Sequence, residues 1–160
     1  MTDAVAIYQN YLDTVCDLLW RGQYEEICEH MVFPNAIIML DAMAEDISRE
    51  QMLENLKSLH DSLLRQGAQS FYRLCQTAQV DPLDPSRILG THRSYVLRGG
   101  TYVVPPYDNR LLLVQTEGRW RAAKLQTLAR NSTIAGLSPA GRWKVPVDGG
   151  NPSHFEGTKK

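Results

Sequence analysis

A chain of 160 residues, 43% hydrophobic and 22% charged, has the size and composition of one globular domain rather than of a disordered or membrane-spanning chain. Seventeen Lys plus Arg against eighteen Asp plus Glu leave a net charge of -1, which supplies no field to gather nucleic-acid backbones or an acidic membrane surface. The longest aliphatic runs, residues 36–40 and 111–114, are far too short to cross a bilayer.

The N-terminus, Met1-Thr2-Asp3-Ala4, has no basic n-region and passes at once into an amphipathic pattern, so a cytoplasmic protein is expected. Val5, Tyr8, Leu12, Val15 and Leu19 recur at steps of three and four and predict a first helix that stops near Gly22. Tyr24, Ile27, Cys28 and Met31 predict a second, shorter helix ended by Pro34. Residues 36–40, Ala-Ile-Ile-Met-Leu, predict a buried strand. Ser48-Arg49-Glu50-Gln51 is a capping box, and Ile47 with Met52 has the spacing of a hydrophobic staple. The third helix starts there and keeps its period through Leu63 and Leu64 to Gly67.

After Gly67 the pattern changes to strands, near 70–80, 87–98, 110–116 and 119–128, with 101–104 as a further strand or a loop edge. Asp81-Pro82-Leu83-Asp84-Pro85, Gly99-Gly100, Pro105-Pro106 and Glu117-Gly118 separate them, the last as a hairpin. Helices followed by a meander predict an α+β domain in which three N-terminal helices pack on an antiparallel sheet. Residues 1–130 form this domain, and the Gly- and Pro-rich residues 131–160 read as an extended C-terminal tail. Cys16, Cys28 and Cys75 have no Cys-x-x-Cys spacing and read as reduced thiols, mostly buried.

Three features carry a family resemblance. They are the junction Leu18-Leu19-Trp20-Arg21-Gly22-Gln23-Tyr24, the strand leading to Ser48-Arg49-Glu50-Gln51, and Glu117-Gly118-Arg119-Trp120-Arg121-Ala122-Ala123. Together, over roughly the first 130 residues, they resemble the nuclear transport factor two-like cone, the cystatin-like superfamily that includes SnoaL-like cyclases and steroid isomerases. The resemblance implies that the antiparallel sheet is strongly curved and forms a cone with a pocket, used either for catalysis or for plain binding, and that the protein is a homodimer packed through the outer face of the sheet. The steroid-isomerase acid and base positions fall on about Val15, Leu40 and Leu112, which exchange no protons, so that chemistry is not expected. The Asp-Arg-Asp arrangement of the related epoxide hydrolases has no match either.

Candidate site residues come from strand alternation. If Ile88, Gly90, Ser94 and Val96 face inward, so does His92, either as an acid-base group or as a hydrogen-bonded core histidine. Trp120 and Ala122 read as inward, and strict alternation puts Lys124 and Gln126 on the same face; the other reading lets Lys124 snorkel to water. Tyr72, in phase with Leu74, could donate a phenolic hydrogen bond into the pocket or half-fill the core. Asp41 reads as a base at the pocket mouth or as a turn aspartate bonded to backbone. The expected catalytic set is His92, Lys124 and Tyr72, with Asp41, Gln126, Trp120, Leu40 and Val15 as ligand contacts. The expected function is a SnoaL-like small-molecule enzyme, an isomerase, cyclase or dehydratase acting by proton transfer on an apolar substrate. The alternative is a noncatalytic ligand-binding or dimerisation module. No phosphate loop, dinucleotide fingerprint or metal-ligand spacing is present, so no cofactor and no metal are expected.

Overall fold

In the computed structural model, which describes residues 2–141 and 143–145, the N-terminal half runs α1 (Ala4–Trp20), α2 (Tyr24–Cys28), β1 (Met31–Ile38), β2 (Met43–Ile47) and α3 (Arg49–Arg65). There follow β3 (Ser70–Asp81), β4 (Asp84–Arg98), β5 (Thr101–Tyr102), β6 (Tyr107–Thr116), β7 (Arg119–Thr127) and a short α4 (Asn131–Ile134). The class is α+β. No helix among the described residues is long and apolar enough to cross a membrane.

Each helix start has a local cause. Asp3 caps α1 by accepting from the Ala6 amide at 3.0 Å. At α3 both arms of the capping box are formed: Ser48 Oγ accepts from the Gln51 amide and Gln51 Oε1 accepts from the Ser48 amide. The buried stripe of α1 includes Tyr8, Leu12, Val15, Cys16 and Leu19, while Val5, expected in that stripe, lies half-exposed. The second helix ends sooner than its apolar spacing implied. His30 closes on Ile27, and Met31 opens a strand, pairing with Ala122. Pro34 therefore sits inside β1, in the stretch where the β1–β7 register shifts and its missing N–H costs no ladder bond.

The strand order is β2-β1-β7-β6-β4-β3, with β5 on the far end of β4. The sheet expected to be antiparallel is mixed, because β1 runs parallel to β7. A parallel pair needs a long connection, and here everything from β2 to β6 supplies it. Bulges at Gln76 in β3 and Ala123 in β7 bend the sheet: Cys75 faces His92 and Thr77 faces Thr91, while Ala122 faces Leu113 and Lys124 faces Leu112. The β6–β7 turn has Glu117 and Gly118 both at positive φ, 53° and 78°, the form a two-residue hairpin favours.

The sheet curves around its helices, with α1 against β3 and α2 and α3 against each other. One core joins Tyr8, Leu12 and Leu19 of α1, Met52 and Leu63 of α3, and Ile88, Val96, Leu111 and Leu113 of the sheet. Ile134 and Leu137 belong to the same core, so the packed body runs past residue 130. Asn55 Oδ1 accepts from the Ser138 amide, and Ser58 Oγ donates to the Ala135 carbonyl, which holds this segment on α3. Further on, Lys144 bridges to Met43; the rest of the expected tail lies outside the described residues.

Candidate functional site

Between α1, α3 and the inner face of the sheet lies a cavity of about 110 Å³. Val15, Cys16 and Leu19 come from α1, Met52, Asn55, Leu56 and Leu59 from α3, and Met39, Ile134 and Gly136 close one end. The sheet contributes most of the polar groups: Arg73 on β3, His92 and Ser94 on β4, Tyr107 and Asn109 on β6, and Thr127 on β7. Arg73 is the one ionised residue in this lining.

The alternation expected for β4 places His92 inward. Ile88 and Val96 are fully buried, and His92 is 0% exposed. Its Nδ1 lies 2.6 Å from the Tyr8 hydroxyl. Its Nε2 is buried and has no hydrogen-bond partner. Burial, with Arg73 adding to it, pushes the His92 pKa down to about 2, so the imidazole is neutral over the physiological range. Tyr8 reaches His92 because Gly90 offers no side chain: a Cβ there would lie 2.3 Å from Tyr8 Cε2. Burial likewise raises the Tyr8 phenol far above its ordinary value, so it keeps its proton. Tyr107 is pushed up to about 12 by burial.

Arg73 pairs across the sheet with Ser94 and points into the same space. Its Nε donates to Cys16 Sγ at 3.1 Å, and its guanidinium lies 5.8 Å from the centre of the Phe71 ring. Burial opposes its charge, but the Cys16 thiol and the Tyr11 and Tyr8 hydroxyls more than offset that, and its pKa lies above the ordinary value. No carboxylate among the described residues forms an ion pair with it. Asn109 Nδ2 donates to Ser94 Oγ at 2.9 Å and to the His92 carbonyl at 3.2 Å, which fixes the floor between β4 and β6.

The other expected contacts divide. Val15 lines the cavity, but Leu40 does not; Ile37 and Met39 hold that wall. Asp41 is no pocket base: its carboxylate accepts from the amides of Asn131 and Ser132 at 2.5 and 3.1 Å and caps α4. Those backbone bonds outweigh the effect of burial and hold its carboxyl below the usual range. Tyr72 is 55% exposed, in phase with exposed Leu74, so the inward phase of β3 is Phe71 and Arg73 instead. Trp120 packs on the core without reaching the cavity.

Strict alternation from Trp120 and Ala122 would carry Lys124 and Gln126 inward. The bulge at Ala123 reverses that phase. Leu125 and Thr127 line the cavity, while Lys124 and Gln126 line a separate cleft of about 460 Å³ on the outer face with Arg87, Arg110 and Leu112. His92, Lys124 and Tyr72 are therefore not brought together. Arg73, Tyr8 and Asn109 were missed. The available signals were Arg73 between Phe71 and Cys75 in the other strand phase, and a glycine inside a strand, which marks close approach of another group.

In sequence, no family model and no curated protein matches the chain. In structure, three similar proteins illustrate the fold. An ntf2-like protein with a cystatin-like fold from Novosphingobium aromaticivorans has a TM-score of 0.59 at 18% identity, covering 83% of this chain and 88% of its own. An NTF-2 like protein of unknown function from Shewanella oneidensis has a TM-score of 0.61 at 12% identity, covering 77% and 97%. A protein from Catenulispora acidiphila, in complex with S-DNPA, has a TM-score of 0.58 at 21% identity, covering 81% and 96%. At these identities the likeness concerns architecture, and it agrees with the curved sheet and the three leading helices: the chain has the NTF2-like, cystatin-like fold.

Proposed function

We propose that the protein is a ligand-binding module whose cavity takes a small, largely apolar molecule without transforming it. The observation that carries this is the composition of the cavity wall. It is concave and mostly apolar, as small-molecule sites are, and it contains no carboxylate and no lysine. The sole imidazole is neutral with a pKa near 2, too weak a base for proton abstraction at neutral pH. The volume of about 110 Å³ lies in the range of an apolar cavity that accepts a benzene-sized guest, about 150 Å³. Thermal-shift measurements with small hydrocarbons, alcohols, amides and acids should find compounds that raise the melting temperature of the wild type. The same compounds should have no effect on Val15→Phe, whose ring fills the space. If nothing binds, or if NMR shows a bound compound being converted, this reading fails.

The homodimer belongs to the same proposal. Tyr72 and Leu74, 55% and 52% exposed, adjoin Tyr95 and Tyr102 on the outer face, an apolar area that a second copy would cover. Light scattering should give a dimer for the wild type and a monomer for Tyr72→Glu. A wild type that stays monomeric at all concentrations removes it.

A further inference from the structure

We propose that the molecule held in the cavity is a small monocarboxylic acid, bound as its anion with Arg73 as the head-group site. This rests on the ligand-binding reading and adds the chemical class.

Natural proteins pair a cation that they enclose. Arg73 is part-buried in the cavity lining without a carboxylate beside it, and its one hydrogen-bond acceptor among the described residues is the Cys16 thiol, at Nε. A guanidinium has five N–H donors in a planar fork. Both Nη nitrogens therefore remain for an acceptor that this part of the protein does not provide, and a carboxylate matches that fork in geometry and in charge.

The neighbouring groups have the same polarity. The Leu111 amide is turned toward the Tyr8 phenolic oxygen, which leaves the Tyr8 hydroxyl to donate to His92 Nδ1. That assigns the single imidazole proton to Nε2, which is buried and unpartnered on a residue that lines the cavity. Ser94 Oγ already accepts from Asn109 Nδ2, and the Ser94 hydroxyl lies beside that of Tyr107, which burial keeps protonated. Arg73, His92 and Tyr107 thus offer donors, with one positive charge, on the sheet side of a cavity whose α1 and α3 wall is mostly apolar. A ligand that ends in a hydrocarbon meets none of these donors; an amide brings donors of its own and no charge. An anionic acceptor on a short aliphatic or single-ring body satisfies the donors and suits a volume of about 110 Å³.

Calorimetric titration of the wild type with sodium salts of propanoic to hexanoic acids and benzoic acid, each against its primary amide, tests this directly. The acids should bind roughly tenfold more tightly than the amides, as a charge-assisted bond exceeds a neutral one. Arg73→Gln should remove that preference, and Arg73→Lys should keep part of it. Equal binding of acid and amide by the wild type overturns the proposal without any need for a folded variant. So does a preference that survives in Arg73→Gln. Binding of the amides or hydrocarbons alone rejects the carboxylate and leaves the cavity reading standing; binding of neither class rejects both.

Discussion

Gly90→Ala should lower the melting temperature by roughly 6–12 °C, the equivalent of about 3 kcal/mol in a chain of this size. The cost comes from one contact. The added methyl would meet the Tyr8 ring at 2.3 to 2.7 Å, and that ring is fully buried with its hydroxyl 2.6 Å from His92. Tyr8 cannot swing away without leaving Nδ1 unpaired in a site where Nε2 is already unpaired. The diagnostic measurement is a double-mutant cycle. Tyr8→Leu alone should also destabilise, but combined with Gly90→Ala it should cost less than the sum, because the ring that clashes has gone. Strict additivity would show that Gly90 and Tyr8 are not in contact and would remove the explanation offered for how His92 is held.

Lowering the pH from 7 to 5 should take about 2 kcal/mol from the stability of the fold through His92 alone. In the folded chain His92 stays neutral down to a pKa of about 2, because burial and the facing Arg73 both oppose its proton. In the unfolded chain it titrates near 6.5. The unfolded state therefore binds the extra proton, and the sign follows: the contribution is complete above about pH 6.5 and is lost progressively as pH falls toward 2. The groups that face the imidazole are Tyr8 from α1, Cys75 and Arg73 from β3, and Asn109 from β6; none is an acid that could reverse this. His30 and His60, lowered mainly by their own burial, add in the same direction. Urea unfolding of wild type and His92→Asn between pH 7 and 5 separates the parts, since asparagine keeps an acceptor near Nδ1 and cannot titrate. Identical pH slopes for the two proteins would show that His92 carries no such linkage.

Local chemistry explains which features could be read along the chain. The start of α3 is complete within four residues, since Ser48 and Gln51 satisfy each other's amides without help from the rest of the fold. The Glu117-Gly118 turn is similar: the glycine takes its positive φ without penalty and the flanking strands close over two residues. Alternation held along β4 because it is flanked by β3 and β6 and runs without a bulge against β6 from Arg87 to Ser94. His92 could therefore be placed inward from Ile88, Ser94 and Val96.

Elsewhere the same reasoning met tertiary effects. In β7 the phase from Ala122 to Lys124 depends on whether one residue is skipped, and nothing in Arg-Ala-Ala-Lys shows that. The bulge at Ala123 lets β7 follow the curve of the sheet while pairing with β6 on one side and β1 on the other. Lys124 and Gln126 changed face for that reason. On β3, an edge strand with Tyr72 and Leu74 on one side and Phe71 and Cys75 on the other, both faces carry apolar residues, so periodicity could not choose between them. The packing of α1 decided it, with Gln9 bonding both the Arg73 carbonyl and the Cys75 amide. Arg73 entered the cavity as a consequence.

The apolar stripes, the capping box and the turn residues, each satisfied within a few positions of chain, were enough to specify an α+β domain with three leading helices and a curved sheet. The composition of the site was decided at longer range. The parallel β1–β7 pair, the bulges that reverse strand phase, the fit of Tyr8 over Gly90 and the contact of Arg73 with Cys16 all join residues far apart in the chain. A strand pattern reports which side chains share a face, but the helices packed on the sheet determine which face becomes the inside.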